Sequence, residues 1–515
     1  MKTASSKRSK RGYYIAVGCP GCGGKLSIDS GFFVTTCSHC GTPLRLVMPE
    51  TPPAFIITHK IDRRQARFKV DRFLKSKGLP LTGSPIYFKN VFYPYWQVDS
   101  LLLRCRNKRE RVVTSIDPDS GRETAVYRKK RKIFLSQYST TIAAGSYFEG
   151  VPDSIGMRGQ YLKLKPFSNS KVTDDVDVLK VVRNSTEILS TIELSLRQMN
   201  SIRSADFGRN LTKMFNPESR LLYFPFTILE DYEGDGFKRY LLDGLSGRVL
   251  LSPESLNAAA VDKAVQKSSL SSVLSISLSG ESETEAEKSI VPLLAGKGIR
   301  YSESDNFEFE TEAPQIEFGE LQVELHRCHN CGENLPSQQS CIYICRNCQQ
   351  LTCLEKKIQV LPKILKAETT DKDAEMFPFW SIPVSGQASD AFKKSLGAVS
   401  DFNNFAVPAF KISNLEAMYR LCKRTLVSID NLDLEPVENL DNSFRGVDIS
   451  PSEAFVLANA VYYRHWLEKF RKLPTEEISM DLREIRLCYL PFKAENYFYV
   501  DSILNSITFE KSIID

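Results

Sequence analysis

The stretch that decides the fold is Gly18-Cys19-Pro20-Gly21-Cys22-Gly23-Gly24, which is answered by Cys37-Ser38-His39-Cys40-Gly41. It forms two Cys-x-x-Cys corners with fourteen residues between them. Two thiolates on one tight turn can hold one metal ion, and a glycine after the second cysteine lets backbone amides face the sulfurs. Four soft ligands make a closed tetrahedral zinc set. The spacing therefore predicts a zinc ribbon over residues 13–48.

The same pattern returns late in the chain. Cys328-His329-Asn330-Cys331-Gly332 is answered by Cys345-Arg346-Asn347-Cys348, with thirteen residues between the corners. This spacing predicts a second zinc ribbon over residues 321–358, with Gln349 where the other corners have glycine. Two further cysteines, Cys341 and Cys353, flank the later corner and are alternative ligands. The sequence thus predicts two structural Zn²⁺ ions.

A second motif, in which proline stands between large apolar residues, occurs four times. The copies are Tyr93-Pro94-Tyr95-Trp96, Phe224-Pro225-Phe226, Phe377-Pro378-Phe379-Trp380 and Leu490-Pro491-Phe492. Such β-favouring runs predict strands whose proline sits at an edge or an entry point. In each half a helical stretch separates the two copies. The sequence predicts an α+β fold of two duplicated halves, each a four-cysteine zinc ribbon followed by an antiparallel β-rich domain with helical inserts.

Helix starts can be read from capping residues. Asp62 precedes a run with apolar residues on one face and Lys and Arg on the other, and residues 185–202 keep helical spacing. Capping boxes at Ser413 and Ser450 predict two more helices. The motif Asp-x-x-Ser-Gly-Arg occurs at 117–122 and again at 243–248, and predicts a turn at each place.

Composition shifts divide the chain further. Residues 1–12 are basic and Ser-rich and predict a disordered tail, and residues 252–320 are Ser-rich and acidic and predict a linker. The two α+β domains are then expected at 49–251 and 359–515.

Cysteine usage and hydropathy suggest the compartment. Thirteen cysteines in 515 residues, without a secretion signal, favour metal binding in a reducing compartment over disulfides. No apolar run is long enough to span a bilayer, so a cytoplasmic protein without a transmembrane segment is expected. The oligomeric state is left open.

Charge is distributed unevenly along the chain. Residues 1–132 hold 27 Lys and Arg against 9 Asp and Glu, whereas the remainder holds 41 against 53. The densest basic run comprises five candidate anion-binding residues: Arg128, Lys129, Lys130, Arg131 and Lys132. Such a run can bind nucleic acid or anionic lipid, can dock on the acidic part of the chain, or can be a solvated edge strand charged against aggregation.

The sequence resembles bacterial proteins that carry a transcription-factor-IIB-type zinc ribbon and are mostly known as hypothetical proteins. The resemblance rests on Cys19, Cys22, Cys37 and Cys40, on the run 93–96 and on the turn 243–247. It covers most of the first half and, more loosely, the second. The resemblance implies zinc binding and no established activity.

The chemistry of the motifs limits the function. A four-thiolate zinc has no open coordination position, so both sites are expected to be structural. The sequence contains no Gly-x-Ser-x-Gly, phosphate-loop or His-Glu-x-x-His motif. The predicted function is a non-enzymatic zinc-binding scaffold or adaptor with a protein partner. The alternative is a nucleic-acid-binding protein that uses the first ribbon and the basic N-terminal region.

Overall fold

The computed structural model describes residues 14–252 and 321–514, apart from short gaps. The gaps fall at 30–33, 48–50, 80, 82–86, 117–122, 147, 149, 157–162, 168–175, 202, 205–207, 210, 234–235, 355–360, 372, 397–401, 427–428, 438–439, 441–442 and 504–506. The predicted tail at 1–12, the predicted linker after Ser252 and the predicted turn at 117–122 lie outside the described residues.

The first half consists mainly of strands. They are β1 (Tyr14–Gly18), β2 (Lys25–Asp29), β3 (Val34–Thr36), β4 (Pro43–Val47), β5 (Ala54–Ile57), β6 (Tyr87–Ile116), β7 (Glu123–Ala143), β8 (Lys163–Pro166), β9 (Val176–Val178), β10 (Arg203–Ser204), β11 (Gly208–Arg209), β12 (Leu211–Glu233), β13 (Gly236–Asp243) and β14 (Val249–Leu251). In the part of this half that the structure describes, two helices accompany them, α1 (Arg63–Ser76) and α2 (Ser185–Ser201).

The second half has more helix. Its strands are β15 (Gln322–Leu325), β16 (Ile342–Ile344), β17 (Leu351–Cys353), β18 (Lys363–Ala367), β19 (Glu375–Ser385), β20 (Asn404–Pro408), β21 (Leu434–Pro436), β22 (Ser479–Met480), β23 (Arg486–Glu495), β24 (Phe498–Asp501) and β25 (Thr508–Glu510). Its helices are α3 (Gln387–Leu396), α4 (Leu415–Thr425) and α5 (Pro451–Phe470), with 3₁₀ turns at Ile429–Asn431, Leu482–Glu484 and Lys511–Ile513. The chain is thus α+β with strands predominating.

The two halves share one strand frame. In the first, β12 pairs antiparallel with β6 and β13 and parallel with β5, and β5 pairs antiparallel with β8. In the second, β23 pairs antiparallel with β19 and β24 and parallel with β18, and β18 pairs antiparallel with β21. The described residues therefore form two similar sheet-rich halves, as predicted.

The four motif prolines occupy matching places in this frame. Pro94 lies where the neighbour of β6 changes from β9 to β7, and Pro225 lies where the neighbour of β12 changes from β5 to β13. Pro378 and Pro491 lie at the corresponding places of β19 and β23. The prediction of an edge or entry position was wrong, because a gap between two neighbours also needs no N–H donor.

Each proline carbonyl accepts a hydrogen bond from a backbone amide just beyond the end of one neighbouring strand. The donors are the amides of Ala144, Gly244, Ala409 and Ser502, each 2.9 Å from the carbonyl of Pro94, Pro225, Pro378 and Pro491 respectively. The missing donor and the retained acceptor together explain why proline fits these interior sites.

A tryptophan anchors a helix start in each half. Trp96 Nε1 donates to the carbonyl of Arg183 at 2.7 Å, and Trp380 Nε1 donates to the carbonyl of Ile449 at 2.7 Å. The next residue in each case caps a helix: Asn184 accepts from the Glu187 amide before α2, and Ser450 accepts from the Glu453 amide before α5.

The helix predictions are mostly confirmed. Asp62 caps α1 in a capping box, Ser450 caps α5 in another, and α2 covers the predicted run. The box predicted at Ser413 was wrong, because Asn414 is the N-cap of α4 and its side chain accepts from the Glu416 amide. An amide oxygen one position later satisfies the same orphan donors.

The frame differs between the halves in its inserts. Between β5 and β6 the first half inserts α1, whereas residues 368–374 connect β18 to β19 in the second. Between β6 and β7 the first half extends a long hairpin, whereas α3 joins β19 to β20. The base of that hairpin, including Leu103 and Cys105, belongs to the same apolar core as the second half.

Candidate metal centres

The structure brings the eight predicted cysteines together in two groups of four. Cys19, Cys22, Cys37 and Cys40 form the first tetrad, and Cys328, Cys331, Cys345 and Cys348 form the second. Within each tetrad all Sγ atoms lie within 4.8 Å of one another. No other group of three or more metal-ligating side chains occurs in the part of the chain that the structure describes.

The sulfur separations match a tetrahedral ion. Cys19 and Cys22 lie 3.8 Å from Cys40 and Cys37 respectively. In the second tetrad the corresponding separations are 3.6 Å for Cys328–Cys348 and 3.5 Å for Cys331–Cys345. Four sulfurs at about 2.3 Å from a central zinc are about 3.8 Å apart. Each tetrad can therefore hold one metal ion.

All four corners have the same backbone. The amide of the first cysteine bonds the carbonyl five residues on, and its own carbonyl accepts from the amide four residues on, at 2.8–3.0 Å throughout. The residue that donates this second bond has positive φ in each corner: Gly23 and Gly41 at 72°, Gly332 at 74° and Gln349 at 58°. The glycines have the backbone freedom that this turn requires, and Gln349 adopts the same conformation without it.

Backbone and side-chain donors face the sulfurs. The amides of Gly21 and His39 donate to Cys19 and Cys37 Sγ at 3.4 Å. Bonding to the side chain and amide of Thr42 lowers the pKa of Cys40 to about 6. In the second tetrad, bonding to the side chain of Asn330 and the amide of Gln350 lowers the pKa of Cys348 to about 6. In each tetrad another thiol shifts the other way: against backbone bonds that lower them, burial and neighbouring thiols raise the pKa of Cys22 to about 12 and that of Cys345 to about 11. Because a metal binds the thiolate, Cys40 and Cys348 compete least with protons for it, and binding to the whole tetrad still releases protons.

Burial follows position within the corner. The first cysteine of every corner is buried, whereas Cys22, Cys40 and Cys331 are exposed and Cys348 is intermediate. Each metal site therefore has two buried ligands on its inner side and its other two ligands at or near the protein surface.

The two alternative ligands lie elsewhere. Cys341 is fully buried in the apolar core of the second half, 3.8 Å from the carbonyl of Ile449. Cys353 ends β17 and pairs with Ile342 in the register of β16 and β17. The second tetrad therefore has the same ligand positions as the first.

The two tetrads sit in one joined module. Strand β4, from the first ribbon, pairs antiparallel with β15, which leads into the second, so that Leu44 faces Leu325 across the ladder. Side chains follow the same pairing: Arg45 binds Glu324 at 2.6 Å and contacts His329 Nε2 at 3.1 Å. We call residues 14–47 and 321–354 the ribbon pair.

Further contacts close the seam between the ribbons. The amide of His326 donates to the carbonyl of Pro43 at 2.9 Å, and the Val34 amide donates to the Gln339 side chain at 3.3 Å. His326 is fully buried and its ring lies 4.5 Å from that of Tyr343. Burial, with the nearby Arg45, lowers the pKa of His326 to about 4, so the imidazole is neutral at pH 7.

Sequence reasoning missed these seam residues. Arg45 and Glu324 lie 279 positions apart, and no local pattern marks them as partners. The one available signal was the strand-like alternation of residues 43–47 and 322–325, which shows two strands without showing that they pair.

The predicted basic run lies in β7, opposite β6. Its register pairs Lys132 with Arg106, Lys130 with Lys108 and Lys129 with Arg109. The side chains of 107–111 and 128–130 are outside the description. Arg131 is partly buried, and its Nη1 donates to the carbonyl of Arg471, the C-cap of α5, at 3.3 Å. Arg131 therefore supports the contact between the halves.

One buried Ser–His pair resembles part of a nucleophilic site. His465 Nε2 lies 3.0 Å from Ser395 Oγ, and both residues are buried. The Ser395 hydroxyl donates to the carbonyl of Phe392, so the ring acts as donor to the serine. His465 Nδ1 has no partner among the described residues. The pair therefore lacks the acceptor nitrogen and the orienting carboxylate that a nucleophile needs.

The comparisons with known proteins were negative. No family model, curated protein or solved structure matches the chain. The resemblance to bacterial zinc-ribbon proteins therefore stays a prediction. No described helix is long and apolar enough to cross a membrane.

Proposed function

We propose that this protein is a non-enzymatic, zinc-binding scaffold that presents its ribbon pair to a protein partner. The observation that carries the proposal is the joining of two closed four-cysteine sites by the β4–β15 ladder. Two small modules without large cores of their own are thereby held as one unit. A unit held in this way offers a surface of defined shape.

Zinc is the metal that fits the ligands best. Thiolates are soft ligands, and four of them in a tetrahedron favour zinc or an iron–sulfur centre over magnesium, calcium or manganese. The sulfur separations of 3.5–3.8 Å match a single small ion. Cys-x-x-Cys corners with thirteen and fourteen residues between them are also the spacing of zinc ribbons.

The proposal of a scaffold follows from what a closed site can do. Four protein ligands leave no position for water or substrate, so a zinc ion here stabilises structure and activates nothing. The matched prolines, tryptophans and helix caps of the two halves support descent from one duplicated unit. Duplication of a fold with a structural metal enlarges a surface without requiring a reaction.

The outer face of the ribbon pair is available for contact. Ser38, His39, Asn330 and Arg346 lie at the corners and are exposed. Short rigid turns held by a metal lose little conformational freedom on binding. We infer that these turns form the contact surface.

The metal content is tested first. Protein purified without a metal-affinity tag should contain two zinc ions per chain by mass spectrometry of the metals. Replacing one ligand in each tetrad, Cys22→Ser and Cys331→Ser, should reduce the content to below one per chain. Iron, or no metal at all, in the wild-type protein would contradict the proposal.

The contact surface is tested by affinity capture from lysate. The variant Ser38→Glu/Arg346→Glu alters two exposed corner residues, and Ser413→Glu/Lys394→Glu makes the same change in charge at exposed positions outside the ribbon pair. A partner retained by wild type and by the second variant but lost by the first supports the proposal. Equal retention by both variants places the partner elsewhere, and an absence of any partner argues against an adaptor.

A further inference from the structure

The longest hairpin among the described residues extends beyond the sheet that supports it. Strand β12 pairs with β6 as far as Cys105, opposite Leu211, and past that point β6 pairs only with β7 among the described strands. We call residues 106–116 of β6 and 123–132 of β7 the basic arm. Eleven extended residues make the arm about 35 Å long.

The arm is strongly basic. It contains nine Lys and Arg against two Glu, which are Glu110 and Glu123. Because successive residues of a strand alternate between faces, directly paired residues share a face. The pairs Arg106–Lys132 and Lys108–Lys130 fall on one face, and Arg109–Lys129 falls on the other. Both faces of the basic arm therefore carry basic residues at opposed positions.

Opposed like charges have a cost in an isolated ribbon. Cations placed directly opposite each other on neighbouring strands destabilise the pairing. Charged side chains protect an edge strand from aggregation, and that protection does not require cations at directly opposed positions. Binding of a polyanion, in contrast, is favoured by a high density of cations along both strands.

The base of the arm is held in place. Leu103 and Cys105 are buried in the core of the second half, and Ile133 and Leu135 pack against it. Arg131 adds its bond to the carbonyl at the end of α5. The arm is thus held at one end by both halves and reaches outward at the other, where Val126 and Tyr127 are exposed.

We propose that the basic arm binds double-stranded DNA by entering the major groove. A two-stranded ribbon fits that groove, and a ribbon in the groove has rows of phosphates on both sides. Such a ribbon turns one face to the base edges and lies with its two strand edges along the phosphate rows, so long Lys and Arg side chains from either face can reach a phosphate. A bilayer surface presents its charge in one plane and engages one face of a ribbon, which leaves the other face without a partner.

The proposal is independent of the scaffold function, and its test uses the full zinc-loaded chain. Binding to a fluorescein-labelled 30-base-pair duplex is measured by anisotropy at 50 and 200 mM KCl. For four to six phosphate contacts the affinity should fall roughly 10²- to 10³-fold between these concentrations. The variant Lys108→Gln/Lys129→Gln/Lys130→Gln should bind more than about tenfold more weakly at 50 mM, with a salt slope smaller by about three.

A matched control removes the same charge elsewhere in the basic front. Arg64, Arg72 and Lys75 lie on α1, and Arg64→Gln/Arg72→Gln/Lys75→Gln should keep the affinity within about threefold of wild type, because these residues lie outside the arm and make none of the proposed phosphate contacts. The arm variant should unfold at a denaturant concentration close to that of wild type, because glutamine removes the charge and keeps a long, flexible, polar side chain at each position. A loss of affinity in this variant then reports the contact with DNA.

Three outcomes would overturn the proposal. The first is no binding of wild type to the duplex at 50 mM salt. The second is equal weakening by the arm and α1 variants, which would indicate a diffuse charge effect. The third is binding to vesicles of phosphatidylcholine and phosphatidylserine without binding to the duplex, which would assign the arm to a membrane surface.

Discussion

The two halves of the molecule share a frame and differ in what they attach to it. Both place prolines at the gaps between neighbouring strands, a tryptophan at the start of a helix and an aspartate at the last turn. Trp96 and Trp380 donate to carbonyls at the same distance, 2.7 Å. In both halves, therefore, the matching residues are those that satisfy buried backbone groups.

The inserts show how the halves have diverged. The first half carries α1 and the long hairpin, both rich in Lys and Arg, whereas the second carries α3 and α4, whose buried faces enlarge an apolar core. That core also takes in the base of the first half's hairpin. The second half thus supplies the apolar core that supports the base of the hairpin, and the first half supplies the positively charged surface.

The largest difference between the halves is expected when a metal ligand is removed. The ligands Cys328 and Cys345 of ribbon 2 lie in a small cluster with Tyr343, and the neighbouring Ile342 belongs to the large core of the second half. The ligands Cys19 and Cys37 of the first ribbon belong to a core of the first half. Structural zinc supplies on the order of 10 kcal/mol to a ribbon. Cys328→Ser should therefore destabilise strands β19 and β23 by at least about 3 kcal/mol, and Cys19→Ser should spare them. Amide hydrogen exchange of these strands measures the difference.

The control for that experiment is Cys353→Ser, which changes a half-buried cysteine of the same ribbon outside the tetrad. Its exchange should resemble that of wild type. Equal protection of β19 and β23 in the Cys328 and Cys19 variants would show that the two ribbons are mechanically equivalent, contrary to the comparison.

Much of the frame was predictable because its signals are local. Cysteine spacing predicted both tetrads, the Pro-aromatic runs predicted four strands, and capping residues such as Asp62 and Ser450 predicted helix starts. Each of these patterns reports chemistry within a few residues, such as a turn that needs positive φ or an amide that needs an acceptor. Such local requirements leave a recognisable pattern of residues in the sequence.

The remainder depends on contacts that no local pattern records. The β4–β15 ladder joins residues 279 positions apart, as with Arg45 and Glu324, and two short strands give no sign of their partner. Pro94 was assigned to an edge or entry position because the sequence shows only that it lacks an N–H donor. The gap that it occupies, where the neighbour of β6 changes from β9 to β7, depends on the arrangement of the whole sheet. Arg131 was grouped with its basic neighbours because its partner, the end of α5, lies 340 residues away.

The second prediction concerns the tryptophan anchors. Trp96 and Trp380 are almost fully buried, at 1% and 0% exposed. A phenylalanine at either position leaves the carbonyl of Arg183 or Ile449 without this donor and also leaves a small cavity, so Trp96→Phe and Trp380→Phe should each lower the free energy of unfolding by about 2–4 kcal/mol. Urea denaturation measures both values.

The third tryptophan is the control for these variants. Trp466 is partly buried, and its indole N–H has no partner among the described residues. Trp466→Phe should therefore cost less than about 1.5 kcal/mol. Losses for Trp96 and Trp380 that differ by more than about 2 kcal/mol would mean that the anchors are not equivalent.

The third prediction compares the last turns. Asp243 accepts the amides of Leu245 and Ser246 at 3.0 and 2.8 Å, and Asp501 accepts those of Ile503 and Ile507 at 3.3 and 2.6 Å. Asp243→Ala and Asp501→Ala should each cost about 1–3 kcal/mol, because two backbone amides lose the acceptor supplied by a buried carboxylate. Asn at either position keeps one acceptor oxygen and should restore part of the loss, which thermal unfolding of the paired variants will show.

The smallest effect should come from the one corner that lacks glycine. Gln349 has φ 58°, whereas the other three corners place glycine at 72–74°. A side chain in the left-handed region destabilises the folded state by about 1–2 kcal/mol. Glycine avoids that cost, but its greater freedom in the unfolded chain lowers stability by about 0.5–1 kcal/mol. Gln349→Gly should therefore stabilise the zinc-loaded protein by about 0.5–1 kcal/mol, measured by denaturant unfolding. Gln350→Gly, one exposed residue further on, adds chain entropy without relieving a positive φ and should destabilise by a similar amount. If both variants lose stability, the Gln349 side chain contributes a contact that outweighs its backbone cost, and the fourth corner differs from the other three in more than its missing glycine.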